Sequence, residues 1–140
     1  MKVKDVMTSS VIRIHPEATV SSAARQLAAN NIGAMPVCGN DGRLLGMVTD
    51  RDLVIRCMAA GRSPEKTRIR EVMTGAVSAV TPDTDAHIAA NLMGHKQIRR
   101  LPVVRDGVLQ GVVSLSDLAT REETAPDAVD TLSMVSRNVL

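Results

Sequence analysis

The chain contains no phenylalanine, tyrosine or tryptophan. That absence removes the platforms on which single-stranded nucleic acids stack, and it removes any aromatic cage for a quaternary ammonium. The core must be built from Val, Ile, Leu, Met and Ala, and eight Met residues make it adaptable. Cysteine is scarce. Cys38 and Cys57 form no CxxC pair and no zinc-type spacing. They read as two reduced, partly buried thiols, with a redox-responsive thiol or an intermolecular disulfide as the alternative. The net charge of +2 is too small to argue for nucleic acid or an anionic membrane. Arg62, Lys66, Arg68 and Arg70 cluster, but Glu65 and Glu71 interrupt them, as on a solvated face. No stretch approaches the roughly 18 apolar residues of a membrane span, and no apolar signal-peptide region precedes Met1-Lys2-Val3-Lys4-Asp5. The expectation is a soluble, cytoplasmic protein with no nucleic-acid or membrane partner.

What is present is the same text written twice. Val3-Lys4-Asp5-Val6-Met7-Thr8 returns 66 residues later as Ile69-Arg70-Glu71-Val72-Met73-Thr74, each change keeping charge or apolar character. Pro16 returns as Pro82, Ile32 as Ile98, and Pro36-Val37 as Pro102-Val103. After a one-residue deletion the shift is 65, so that Asp41-Gly42 answers to Asp106-Gly107, Gly46 to Gly111, Thr49 to Ser114 and Asp52-Leu53 to Asp117-Leu118. Two copies are too few for a solenoid. They imply a pseudo-two-fold pair whose halves cover each other's apolar faces and leave clefts in which ligands bind. The repeats are placed at 1–62 and 63–122, with a C-terminal tail at 123–140, and 140 residues suffice for a real core.

Each half reads as a layered α+β unit of about β-α-β-β-α. Thr19 is the N-cap of a helix that carries Val20, Ala23, Ala24, Leu27 and Ala28 on one face. Met35-Pro36-Val37-Cys38 and Leu44-Leu45-Gly46-Met47-Val48 are strands about an Asn40-Asp41-Gly42 turn. A second helix starts at Thr49 or Asp50 and stops near Gly61. The second half repeats this from Pro82. A short leading strand is expected near Ile12 and near Val77-Ser78. In the tail, Ala128, Val129, Leu132 and Val135 suggest an amphipathic turn or two that packs on a partner or frays.

The candidate chemistry lies at Thr49-x-x-Asp52 and Ser114-x-x-Asp117, where a strand turns into a helix. Gly46 and Gly111 permit close backbone approach there. A hydroxyl beside helix N–H groups suits a phosphate, and an Asp one turn later can accept from a ribose diol. The structural alternative is that Thr49 and Ser114 are caps and the Asp residues stabilise the first turn. Other chemistry is thin. His15, His87 and His95 stand far apart and read as solvated, so no metal is assigned. Gly39-Asn40-Asp41-Gly42 is a turn without phosphate-loop character. No nucleophile–base pair points to an enzyme.

The leading V-x-x-V-M-T, the I-G-A-M-P-V and I-R-R-L-P-V-V strands, and the G-M-V-T-D-R-D-L and G-V-V-S-L-S-D-L junctions resemble a tandem pair of cystathionine β-synthase (CBS) domains, or Bateman module, of the small stand-alone bacterial type. The resemblance covers about residues 1–122. It implies a non-catalytic regulatory module that needs no cofactor. Such a module binds AMP, ADP, ATP or another adenosyl compound in the cleft between its repeats, and signals through a disc-like homodimer or an unidentified effector protein. One site is then expected from Arg99, Arg100, Ser114, Ser116 and Asp117, closed by Thr8, Ile12, Ile32 and Gly33. A weaker second site is expected from Thr49, Arg51 and Asp52 with Thr74 and Ile98. The first is favoured for a phosphorylated ligand, because Gly33-Ala34 stand where the other copy has Arg99-Arg100. The competing expectation is a ligand-independent interaction module with vestigial sites.

Overall fold

Thr19 starts the first helix by accepting a hydrogen bond from Ser22 N through its side chain, which satisfies an N–H the helix itself cannot pair. The computed structural model describes residues 1–136, and its contacts divide the chain into two compact units. The first unit is Val11–Val77. Helix α1 (Val20–Asn30) buries Val20, Ala23 and Leu27 and ends at Asn31 in the left-handed region. Strands β1 (Ala34–Cys38) and β2 (Leu44–Thr49) pair antiparallel, with a bulge between Val37 and Cys38. Helix α2 (Asp50–Leu53) runs directly into a π-helical stretch, Val54–Met58. Gly61 ends the segment at φ 73, the conformation only glycine adopts without strain.

The second unit consists of Met1–Ser10 and the chain from Ser78 onward. Asp85 caps helix α3 (Ala86–Lys96) by accepting from His87 N. Strands β3 (Arg100–Arg105) and β4 (Val108–Ser114) form a hairpin whose turn residues Asp106 and Gly107 both have positive φ, 53 and 81. That is the primed geometry matching strand twist, and an Asp-Gly dipeptide favours it. Helix α4 (Leu115–Ala119) is short, and helix α5 (Ala125–Ser136) follows. Two small antiparallel sheets flanked by helices make the fold α+β, the class expected from the sequence.

The leading strands differ from expectation. In place of strands near Ile12 and Val77-Ser78 there are single parallel bridges, Ile14 to Val37 and Val80 to Val103. Burial explains the shift, since Ile14 is 7% exposed and Ile12 40%. The tail differs as well. It folds as α5, whose contacts are with α3 and α4. Thr131 Oγ1 donates to Ala90 O at 2.9 Å and Thr124 Oγ1 to Leu118 O at 2.6 Å. Ala128, Thr131 and Val135 form the buried stripe, whereas Val129 and Leu132 face out. Residues 137–140 of the expected tail segment lie outside the described residues.

The compact units are cut differently from the sequence repeats. The leader Val3–Asp5 forms a 3-10 turn that packs on the start of α3, although it precedes the first repeat's helix in the chain. Val3 N donates to Thr84 O, Lys4 N to Pro82 O, and Ala86 N to Met1 O. The second leader, Ile69–Glu71, does the same one repeat earlier: Ile69 N donates to Ala18 O, Arg70 N to Pro16 O, and Val20 N to Thr67 O. Each leader thus supplies donors, an acceptor and apolar groups to the helix start of the other repeat. Val3 and Val6 belong to the core of Ala86, Ala89, Ala90, Met93, Leu101, Val103, Val113 and Leu118. Ile69 and Val72 belong to that of Ile14, Val20, Leu27, Met35, Val37, Val48, Leu53 and Cys57.

Candidate functional site

In the second unit the leader crosses β4 just before the S-x-x-D junction. Thr8 N donates to Val112 O at 2.9 Å and Val112 N returns the bond to Thr8 O at 3.0 Å. Thr8 is therefore paired two residues before Ser114. Gly111 is required there, because a Cβ on it would lie 2.5 Å from Thr8 O. Its close approach serves the leader's backbone. In the first unit Thr74 pairs with Met47, and the carbonyl of Thr74 fills the space a Cβ on Gly46 would need.

Both junctions are capping boxes. Ser114 Oγ accepts from Asp117 N at 3.1 Å, and Asp117 Oδ2 accepts from Ser114 N at 2.8 Å. Thr49 and Asp52 do the same at 3.1 and 3.0 Å. The structural role weighed for these residues is real, and it consumes half of each carboxylate. Asp117 Oδ1 accepts no hydrogen bond among the described residues, and the Ser114 hydroxyl still has its proton to donate.

Leu115 N donates to Arg99 O at 2.8 Å, and Arg100 stands opposite Ser114 in the hairpin. Thr8, Arg99, Arg100, Ser114, Ser116 and Asp117 are thereby gathered around one strand end. Asp117 and Ser114 are partly buried, and Thr8, Arg99, Arg100 and Ser116 are exposed. Ile12, Ile32 and Gly33 belong to the first unit. At the equivalent junction there, Asp50 N donates to Gly33 O, and Ala34 stands opposite Thr49. Thr74, Thr49, Arg51 and Asp52 lie together in that unit, and Ile98 belongs to the second. The first-unit junction is acidic: a Cβ on Gly33 would sit 3.4 Å from Asp50 Oδ2.

Two arginines that follow the junctions were missed by the motif reading. Arg56 and Arg121 follow Asp52 and Asp117 by four residues and are related by the same 65-residue shift, which was the signal available. Arg99, Arg100 and Arg121 have no side-chain hydrogen bond or ion pair among the described residues. Arg56, by contrast, is hydrogen-bonded through Nη1 within its own unit.

The family model for the CBS domain matches residues 3–58 and again 69–124. The chain belongs to the CBS family. This CBS pair is 39% identical to the CBS domain-containing protein YhcV of Bacillus subtilis over 134 residues, which is 96% of the chain and 94% of the relative. It is 35% identical to hypoxic response protein 1 of Mycobacterium tuberculosis over 83% of the chain and 81% of that protein. A crystal structure of Hypoxic Response Protein I with two coordinated zinc ions superposes with TM-score 0.79 at 34% identity, covering 85% of the chain and 97% of that structure. The CBS pair of protein MJ0100, in complex with 5'-methylthioadenosine and S-adenosyl-L-methionine, superposes with TM-score 0.75 at 28% identity, covering 85% and 93%.

The remaining chemistry is quiet. Among the described residues no three His, Cys, Asp or Glu side chains are grouped so as to hold a metal. His87 Nδ1 is paired with Asp127 Oδ1 at 2.7 Å, and His15 Nδ1 accepts from Glu17 N. Cys38 and Cys57 are free and buried, and burial pushes the Cys38 thiol's pKa up against the pull of nearby Arg13. Among the described residues no helix is long and apolar enough to cross a membrane.

Proposed function

We propose that this CBS pair is a non-catalytic regulatory module whose second unit binds a phosphorylated adenosyl compound. The observation that carries the reading is the set of unpartnered polar groups at the end of β4. Arg99 and Arg100 have no acidic partner among the described residues, nor has Arg121 just past α4, and beside the strand end stand the Thr8 and Ser116 hydroxyls and Asp117 Oδ1. Asp117 accepts from a ribose hydroxyl. The arginines, with five fixed donors each, bind phosphate. MJ0100 supports the adenosyl half of the proposal, since its CBS pair was crystallised with two adenosyl compounds. The phosphate half rests on this chain's arginines. No cofactor is required, and the output passes through a homodimer or an effector protein in the cytoplasm.

A thermal-shift panel with AMP, ADP, ATP, NAD, S-adenosylmethionine and adenosine tests it. A ligand at 100 times its Kd adds about 2.7 kcal/mol to the folded state, several degrees in a chain of this size. The rise should come with the phosphorylated adenosines and shrink in Arg100→Ala and Asp117→Ala. Equal shifts in those variants and the wild type would refute the assignment.

A second reading has its own observation. Val54, Ile55 and Met58 are 48, 51 and 68% exposed along one helical stretch. This favours an interaction module acting through that face without ligand, for which the panel stays flat at millimolar nucleotide.

A further inference from the structure

Arg56 holds the sequence position that Arg121 holds in the other repeat, but its guanidinium is turned onto the leader of its own unit. Arg56 Nη1 donates to Val72 O at 3.0 Å, to Met73 O at 3.1 Å and to Thr74 Oγ1 at 3.3 Å. Its Nε lies 3.8 Å from Asp52 Oδ1. One rigid guanidinium therefore hydrogen-bonds the Thr74 hydroxyl and stands within ion-pair distance of the second oxygen of Asp52. Their counterparts, the Thr8 hydroxyl and Asp117 Oδ1, have no partner among the described residues.

The helix explains the difference. After Asp52-Leu53 the chain reads Val54-Ile55-Arg56-Cys57-Met58, and Cys57 is fully buried, so the helix is held through Met58 and Arg56 is aimed at the leader. After Asp117-Leu118 the positions of Cys57 and Met58 are taken by Glu122 and Glu123. A carboxylate cannot enter that core without a partner. Helix α4 stops at Ala119, and Arg121 is released.

We infer that Arg56 is a built-in occupant of the Thr74–Asp52 site, which excludes an adenosyl ligand from the first unit and leaves the chain with one nucleotide site. A ribose diol must find an acceptor, and the guanidinium beside Asp52 offers only donors. The competitor is tethered, so its effective concentration exceeds that of a free metabolite. A phosphate drawn to Arg56 would also meet Asp50 and Asp52, with glycine where the other unit has Arg99. The inference rests on the adenosyl-ligand reading.

Titration calorimetry of AMP into the full chain tests it. The wild type takes up about one AMP per chain. Arg56→Met takes up about two, and Arg56→Met combined with Asp117→Asn keeps one. Where Arg56→Met melts too low to titrate, Arg56→Gln, which retains a donor on the helix, replaces it. A wild type with two sites, or an Arg56 variant still with one, overturns the inference and leaves the adenosyl reading standing. No uptake by the wild type or any variant overturns both.

Discussion

Thr8 and Val112 exchange both of their backbone hydrogen bonds, which seats the first repeat's leader on the second repeat's strand. The contact is close enough that Gly111 has no room for a methyl group beside Thr8 O. Gly111→Ala must push two backbone segments apart, and a cost of about 1–3 kcal/mol is expected, as for other overpacked sites. Urea denaturation should show a lower midpoint with an unchanged slope. An unchanged midpoint would mean that the leader is not held there.

The Thr19 cap and the Asp106-Gly107 turn were legible because each depends on residues close in sequence, and the α+β class because local patterns of that kind recur at a constant shift in both repeats. Which helix start a leader packs on was not. The shift from Val3 to Ile69 is the same whether a leader serves its own repeat or the other, so the repetition is silent on the exchange. The roles of Arg56 and Arg121 were hidden for a related reason. The residue is identical in both copies, and the difference lies in whether the following positions, Cys57 or Glu122, can be buried. In the tail, Thr131 is polar and was passed over, yet it is buried because Ala90 O accepts its hydroxyl.

That tail bond leads to a second expected outcome. Thr131→Ala removes a buried hydrogen bond and a methyl group, a loss of roughly 1–2 kcal/mol. The neighbouring Leu132→Ala, on the exposed side, should change stability by less than about 0.5 kcal/mol. Thermal unfolding of both variants checks this. Equal losses would show that α5 is not docked by its Ala128–Thr131–Val135 stripe.

Acid should weaken the seating of both leaders. Glu71 is held below the ordinary carboxylate range by the Arg68 backbone N–H and then by the Arg62 side chain, and Asp83 by its bond to Lys4 and then by that ammonium's charge. A carboxyl depressed in the folded state stabilises above its unfolded pKa, and that stability is lost as pH falls through the folded value. Stability should therefore decline between about pH 5 and pH 2, modestly because both groups are exposed and screened by salt. The variant with Glu71→Gln and Asp83→Asn should show a flatter decline in denaturant midpoints over that range. A profile parallel to the wild type would remove these two groups as its cause.

The proposed regulatory role turns on a phosphorylated adenosyl ligand read by Arg99, Arg100 and Asp117. With no Phe, Tyr or Trp, the protein contributes little absorbance where adenine absorbs, so equilibrium dialysis can be read directly at about 260 nm. AMP and 5'-methylthioadenosine, which share adenine and the ribose diol and carry a phosphate and a methylthio group respectively at C5', should be dialysed against the wild type and against Arg99→Ala with Arg100→Ala. The wild type is predicted to retain AMP at least tenfold more tightly than 5'-methylthioadenosine, about 1.4 kcal/mol, and the arginine variant to lose that preference. Equal retention of the two by the wild type, or retention of neither, would contradict it.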